Sequence, residues 1–326
     1  MPSWLQDAGL LAAGIVLLLL GGDVLVRGAI ALATRLGIPP LVVGLTVVAF
    51  GTSAPELALN AAAALNGNTD LSFGNIVGSN IANIGLILGI SAIIKPMAVH
   101  SSLLKREIPV MLVVSGAAAA FAYTAPHAAI TTPGFARPEG IALLVGFLLF
   151  LEMMRRGATK TGGNGALTSD IPDGPTTPLP FAMLFLFLGL GMLALGGALA
   201  ERGAVGVAQA AGLSDATIGL TVVAIATSLP ELATSVMAAR RGQVDIAVGN
   251  VVGSNIFNIL LVLGVTATIT PTPLPEGGLR ALGAMLLLAV VLVPMSKTDK
   301  GSISRIEGAV LLTLYALSLV LELALA

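Results

Sequence analysis

Displacing this chain by 175 residues lays residues 37–90 over 212–265 without a gap, and 29 of the 54 paired positions are identical. The matched cores are Gly-Leu-Thr-Val-Val-Ala from Gly44 and Gly219, Thr-Ser-x-Pro-Glu-Leu-Ala from Thr52 and Thr227, and Gly-Asn-x-Val-Gly-Ser-Asn-Ile-x-Asn-Ile from Gly74 and Gly249. A weaker match reaches back to Gly21, Gly22, Arg27 and Gly28, which align with Gly196, Gly197, Arg202 and Gly203. Self-similarity of this extent means that one structural unit is used twice, so any fold proposed for the chain has to be built from two like halves.

The halves are too apolar for water. Only 10% of the 326 residues are charged and 56% are hydrophobic, against about 25% charged in a soluble domain. A bilayer is the natural solvent. Ten windows long enough to cross one lie near 6–34, 40–65, 71–94, 106–123, 139–154, 180–201, 214–239, 246–269, 280–295 and 306–324. The first and sixth are the longest, which suggests tilt. The first lacks a basic leader and is echoed by the sixth, so it is read as a helix and not a signal peptide. The expected organisation is a first five-helix half at 1–156, a cytoplasmic linker at 157–179 and a second half at 180–326. The linker is rich in Thr, Gly, Asn, Asp and Pro and too short for a regulatory domain.

Basic residues orient these spans. Thirteen of the sixteen Lys and Arg fall beside loops that follow odd-numbered spans, and three (Arg137, Arg202, Arg280) fall on the other side. Cytoplasmic loops hold the excess, which places both termini outside the cytoplasm of a multi-pass inner-membrane protein. Glu56 and Glu231 are then five crossings apart, so the second copy is inverted relative to the first. The expected fold is all-α, with ten transmembrane helices arranged as two inverted five-helix repeats, an architecture of secondary transporters. A net charge of -1 offers no basic face for nucleic acid. With no Cys and two His, thiolate and imidazole metal clusters are excluded, which leaves oxygen ligands.

Glu56 and Glu231 stand near the middle of apolar spans, where a charge costs roughly 3 kcal/mol even on the lenient insertion scale. A lone glutamate there reads equally as a protonated side chain bonded to a neighbouring helix. Two of them, each in the same seven-residue motif and brought to one midplane by the inverted repeat, point to a hard cation. Pro55 and Pro230 precede them and displace the carbonyls of Gly51 and Ala226; an ordinary kink is the competing explanation. Ala49, Ser53, Glu56 and Asn60 share one helix face, as do Ala224, Ser228, Glu231 and Ser235. Asn75, Ser79 and Asn83, and likewise Asn250, Ser254 and Asn258, form a second polar line at spacing four. Interhelical hydrogen bonding explains those lines as well as ligation does when they are taken alone. Gly74, Gly78, Gly249 and Gly253 read as packing residues, Asp70 and Asp245 as helix-start residues, and Asp23 as a local group outside the site. Glu152 with Arg155 and Arg156 marks a helix end, and His100 and His127 fall in loops.

Gly-Thr-Ser-Ala-Pro-Glu-Leu from Gly51 and Ala-Thr-Ser-Leu-Pro-Glu-Leu from Ala226, with the two Gly-Ser-Asn-Ile-x-Asn segments, resemble the alpha-repeats of the sodium/calcium exchanger family of the cation/calcium antiporter superfamily, in its prokaryotic type. The motifs cover about a third of the chain. The resemblance implies that Glu56, Glu231 and the backbone oxygens of Thr52 and Thr227 hold calcium. It implies that sodium uses the same glutamates, the hydroxyls of Ser53, Ser79, Ser228 and Ser254, the carbonyls of Ala49 and Ala224, and the central Asn83 and Asn258. Asn258 departs from the Asp found in many members, which keeps proton coupling open as the alternative to sodium. The implied activity is antiport of Ca2+ against Na+ by alternating access, with no cofactor, no protein partner evident, and the first and sixth spans sliding against the rest. A passive cation channel is the weaker alternative. An intramembrane protease would need a Ser with a membrane His or two catalytic Asp, and neither is present.

Overall fold

The computed structural model describes residues 3–99, 103–124, 133–160, 177–212, 224–298 and 301–325. They form helices throughout, apart from four two-residue strands. In chain order the helices are α1 Ser3–Leu36, α2 Pro40–Leu65, α3 Thr69–Ile94, α4 103–124, α5 Arg137–Lys160, α6 Leu179–Ala210, α7 224–240, α8 Val244–Ile269, α9 Gly278–Met295 and α10 Arg305–Leu325. Six of these, α1, α2, α3, α6, α8 and α9, are long and apolar enough to cross a membrane. Burial sorts them: 94% of the α8 window and 78% of the α3 window is inside the molecule, against 33% for α1, α6 and α9. The duplicated Gly-Ser-Asn-Ile-x-Asn helices are therefore the axis of the bundle. The outer helices present Val16, Leu20, Leu184, Phe187 and Leu195 outward, as suits lipid.

α1 and α6 run antiparallel along a glycine seam of period seven. Gly14, Gly21 and Gly28 on α1 meet α6 at Ala200, Leu193 and Leu186, while Gly189, Gly196 and Gly203 on α6 meet α1 at Leu25, Leu18 and Leu11. A Cβ at Gly189 would stand 2.6 Å from the Leu25 backbone nitrogen, so the seam is backbone against backbone. The N-terminal apolar run is thus a structural helix, packed along its length on its own echo. Asp23 is not local, as its sequence suggested. It bridges Arg27 on the next turn at 2.9 Å and Arg241, at the end of α7, at 2.5 Å, so it ties the outer pair to the second half.

The halves exchange their last helices. α10 crosses α3 where Gly89 meets Gly308 and Gly85 meets Tyr315, and α5 crosses α8 where Gly140 meets Gly264 and Gly146 meets Leu260. Two short ladders repeat the pattern: β1 Met97–Ala98 pairs antiparallel with β4 Ser302–Ile303, and β2 Gly134–Phe135 with β3 Thr272–Pro273. Both exchanged helices start from a glutamate that reaches back to the chain. Glu139 accepts from the Ala136 N–H at 3.1 Å and Glu307 from the Ser304 N–H at 2.7 Å. Ser304 completes a capping box by accepting the Glu307 N–H at 3.3 Å.

Several expectations are met in detail. Asp70 and Asp245 sit in the first turns of α3 and α8, and Glu152 pairs with Arg155 and Arg156 at 2.6 Å each. Gly249 and Gly253 pack on α2 at Leu41, Gly44 and Leu45. Among the described residues nothing comes within 4 Å of a Cβ at Gly74 or Gly78. The matching partner, the Gly219 to Val223 copy of the α2 start, lies outside the described residues, as do His100, His127 and residues 161–176 of the linker.

Candidate functional site

Four helices supply the polar residues of the interior. On α2 the buried side carries Thr52, Ser53, Glu56 and Asn60, none more than 3% exposed. α7 buries Ser228, Glu231, Thr234 and Ser235, and the two axial helices bury Asn75, Ser79 and Asn83 on α3 and Asn250, Ser254 and Asn258 on α8. The spacing-four lines expected from sequence are in place. Each ends where the helix changes pitch, because π-helical turns run Asn83–Leu88 in α3 and Asn258–Leu263 in α8. A third such turn, Gly44–Val48, precedes the glutamate motif of α2. Wide turns of this kind are rare and gather at functional sites, since the extra residue re-aims the side chains around it.

The two copies of Thr-Ser-x-Pro-Glu-Leu-Ala do not fold alike. Ala49–Leu65 stays helical through Pro55. α7 is interrupted at Ser228 (φ -92°, ψ 3°), which divides Ala224–Thr227 from Leu229–Arg240. The disruption expected from both prolines is realised as a break in one copy only.

Contacts then join the repeats. Ser53 donates to Glu231 Oε1 at 3.2 Å. Ser79, Ser53 and Asn258, from three helices, surround the Glu56 carboxyl, and Thr52 and Ser53 lie beside Glu231. Both Glu56 oxygens, Glu231 Oε2, the hydroxyls of Ser79, Ser228 and Ser254, and the amide groups of Asn83 and Asn258 are buried without a hydrogen-bond partner. Each such orphan costs about 1–3 kcal/mol, and native proteins keep only a few per hundred residues. A concentration of them around two carboxylates is chemically a set of unused oxygen donors, suited to a hard cation. Among the described residues no group of three or more His, Cys, Asp or Glu forms, and the other unpartnered groups around the two carboxylates are hydroxyls and amides.

Of the residues expected to take part, Ser53 bonds Glu231 directly, while Glu56, Ser79, Asn83, Ser228, Ser254 and Asn258 are buried with unspent polar atoms and Thr52 is buried beside them. The Ala49 carbonyl receives the Thr52 hydroxyl at 3.3 Å, and Ala224 opens α7. Thr227 accepts from Asn75 at 3.0 Å. Asn75 and Asn250 make the interhelical hydrogen bonds that their polar lines offered as the alternative to ligation, with Asn60 and Ser235 of the glutamate faces among their partners. Asn60 donates to Asn75 at 2.7 Å, Asn250 donates to Ser235 at 3.0 Å, and Thr52 donates to Asn250 at 3.2 Å. Membership of Asn75 and Asn250 in the duplicated motif was the available signal.

Known proteins are similar to this chain over most of its length. The family profile described as sodium/calcium exchanger protein matches residues 7–155 and 181–324. Inner membrane protein YrbG of Escherichia coli (strain K12) is 40% identical over 292 residues, 88% of this chain and 87% of its own. Sodium/calcium exchanger MaX1 of Methanosarcina acetivorans is 32% identical over 95% of this chain and 97% of its own. Among solved structures, the sodium-calcium exchanger NCX_Mj soaked with 2.5 mM Na+ and 0.1 mM Ca2+ superposes with a TM-score of 0.82 at 32% identity, covering 97% of this chain and 98% of that one.

Proposed function

The chain belongs to the sodium/calcium exchanger protein family, and on that premise we propose that it is a secondary active antiporter. It exchanges one calcium ion for sodium ions at a single midplane site by alternating access. The observation that carries this is the pair of buried glutamates, one from each repeat, with Ser53 of the first repeat donating to Glu231 of the second, inside a shell of unpartnered hydroxyls and amides. Two ionised carboxylates balance one divalent ion, or are shared by monovalent ions that also use neutral oxygens, so the two cargoes compete for the same donors. Glu56, Glu231 and the Thr52 and Thr227 carbonyls hold calcium; Ser53, Ser79, Ser228, Ser254, Asn83, Asn258 and the Ala49 and Ala224 carbonyls complete the sodium positions.

Ten apolar windows give ten membrane crossings in two inverted halves, and the thirteen-to-three basic bias puts both termini outside the cytoplasm. The internal correspondences support inversion: β1 displaced by 175 is β3, and β2 displaced by 168 is β4, so the two ladders are copies of one arrangement. The α1–α6 pair, joined by its glycine seam and touching α7 at Gly22 and Gly197, is the element that slides between inward-facing and outward-facing states.

Sodium is preferred to protons as the coupling ion. Asn258 replaces a titratable group, and the duplicated serines supply more oxygen ligands than proton release would use. In proteoliposomes, calcium uptake should follow an outward sodium gradient at equal pH on both sides. Uptake driven by a pH gradient without sodium would move the protein to proton coupling, and uptake without any counter-ion gradient would make it a channel.

A further inference from the structure

Behind the glutamates lies a second layer of amides that crosses between the repeats twice. Asn60 Nδ2 donates to the Glu56 carbonyl at 2.7 Å and to Asn75 Oδ1 at 2.7 Å, and Asn75 Nδ2 donates to Thr227 Oγ1 at 3.0 Å. In the other copy Asn250 Nδ2 donates to Ser235 Oγ at 3.0 Å and to the Glu231 carbonyl at 3.4 Å, while Asn250 Oδ1 accepts from Thr52 Oγ1 at 3.2 Å. Each link therefore runs from the turn that carries one repeat's glutamate to the turn that carries the other repeat's threonine. Together with the stretches of chain from Thr52 to Glu56 and from Thr227 to Glu231, the two links close a ring.

The ring acts on backbone that the sequence leaves soft. The prolines at 55 and 230 remove a hydrogen bond from each of these turns, and α7 is already broken at Ser228. The Thr52 hydroxyl illustrates the competition. It lies 3.2 Å from the Val48 carbonyl, 3.3 Å from that of Ala49 and 3.2 Å from Asn250 Oδ1. One hydroxyl proton cannot serve three acceptors fully, so Asn250 draws Thr52 away from its own helix and toward α8. Asn250 is fully buried and Asn75 is 8% exposed, so water does not substitute for these bonds.

We propose that Asn75 and Asn250 are positioning residues: they lock the glutamate turn of one repeat to the threonine turn of the other, so that calcium's charged and carbonyl ligands are held as one unit. This rests on the exchange function proposed above. A divalent ion that needs both glutamates and both carbonyls at once depends on that lock, whereas sodium ions distributed over the serines depend on it less.

The test is a set of double-mutant cycles on calcium transport in proteoliposomes, with KM and kcat resolved for calcium and half-saturation measured for sodium. Asn75→Leu, Asn250→Leu, Thr52→Val and Thr227→Val should each raise the calcium KM about tenfold with kcat and the sodium dependence much less affected, the size expected for a buried hydrogen bond that orients a ligand. The pairs Thr52→Val with Asn250→Leu and Thr227→Val with Asn75→Leu should be strongly non-additive, and the crossed pairs additive. Thr52→Ser should retain most of the calcium affinity that Thr52→Val loses. If the leucine variants are not recovered folded, Asn75→Ser and Asn250→Ser enter the same cycles. Additivity in all four pairs, or equal losses for sodium and calcium, overturns the positioning role while leaving the exchanger reading intact. A parent protein that exchanges no calcium overturns the reading itself, and the calcium role of the ring with it.

Discussion

Replacing Gly189 by Ala adds one methyl group to the seam between α1 and α6. Its Cβ would lie 2.6 Å from the nitrogen, 2.7 Å from the Cα and 2.8 Å from the Cβ of Leu25. Carbon contacts are comfortable only beyond about 3.5 Å, so the methyl arrives roughly 0.9 Å too close, and backbone atoms cannot rotate out of its way. The helices must separate by about that distance, and a gap of 0.5–1 Å forfeits a quarter to a half of each dispersion contact along the seam. Overpacking of this kind costs about 1–3 kcal/mol; a loss of 2 kcal/mol corresponds to roughly 3 °C in melting temperature for a chain of this length. Gly191 is the control, because it lies two residues away on the same helix and a Cβ there meets nothing within 4 Å. The detergent-purified variants are heated in steps, and the surviving monodisperse fraction is read by size exclusion. Gly189→Ala should lose half its peak a few degrees below the parent and Gly191→Ala should match or exceed the parent. Equal curves for the two variants would refute backbone packing as the cause of the glycine periodicity.

Three further outcomes are expected. Glu56→Gln and Glu231→Gln should each abolish calcium transport while the protein still elutes as a folded species, because the amide keeps the shape and removes the charge; substantial flux in either variant contradicts a shared site. Ser53→Ala removes the hydroxyl that reaches Glu231 and should weaken sodium more than calcium, which competition curves at fixed calcium will show. Asp23→Asn breaks the bridge to Arg241 at the protein surface and should lower stability by about 1 kcal/mol or less, with calcium transport retained, as a melting curve and a flux assay on one preparation can establish.

Much of this architecture is written in local pattern. Apolar windows locate every helix described, and the spacing-four lines identify the faces that α3 and α8 turn inward, since both follow from helical period alone. Other features depend on partners far along the chain. Asp23 meets Arg241 and Asn75 meets Thr227 only after the halves have packed, and no window around either residue contains its partner. The different courses of α2 through Ser53 and α7 through Ser228 arise from nearly identical motifs, so tertiary surroundings decide between them. The two-residue ladders are shorter than any strand period can signal. Asn60 and Ser235 occupy equivalent positions with different side chains, so the repeat marks Asn75 and Asn250 but not the partners they take.

The exchange of last helices has a consequence for biogenesis. The seat on α3 formed by Gly85 and Gly89 is filled by α10, which is made after all the other described helices, whereas α5, made early, waits for α8 at Gly140 and Gly146. Order of synthesis and order of packing therefore diverge, and a half released alone carries a helix without its groove and a groove without its helix. Two separately translated halves hold complementary vacancies, so co-expressed fragments cut within 161–176 should find each other in the membrane, while either fragment alone should be cleared by quality-control proteolysis.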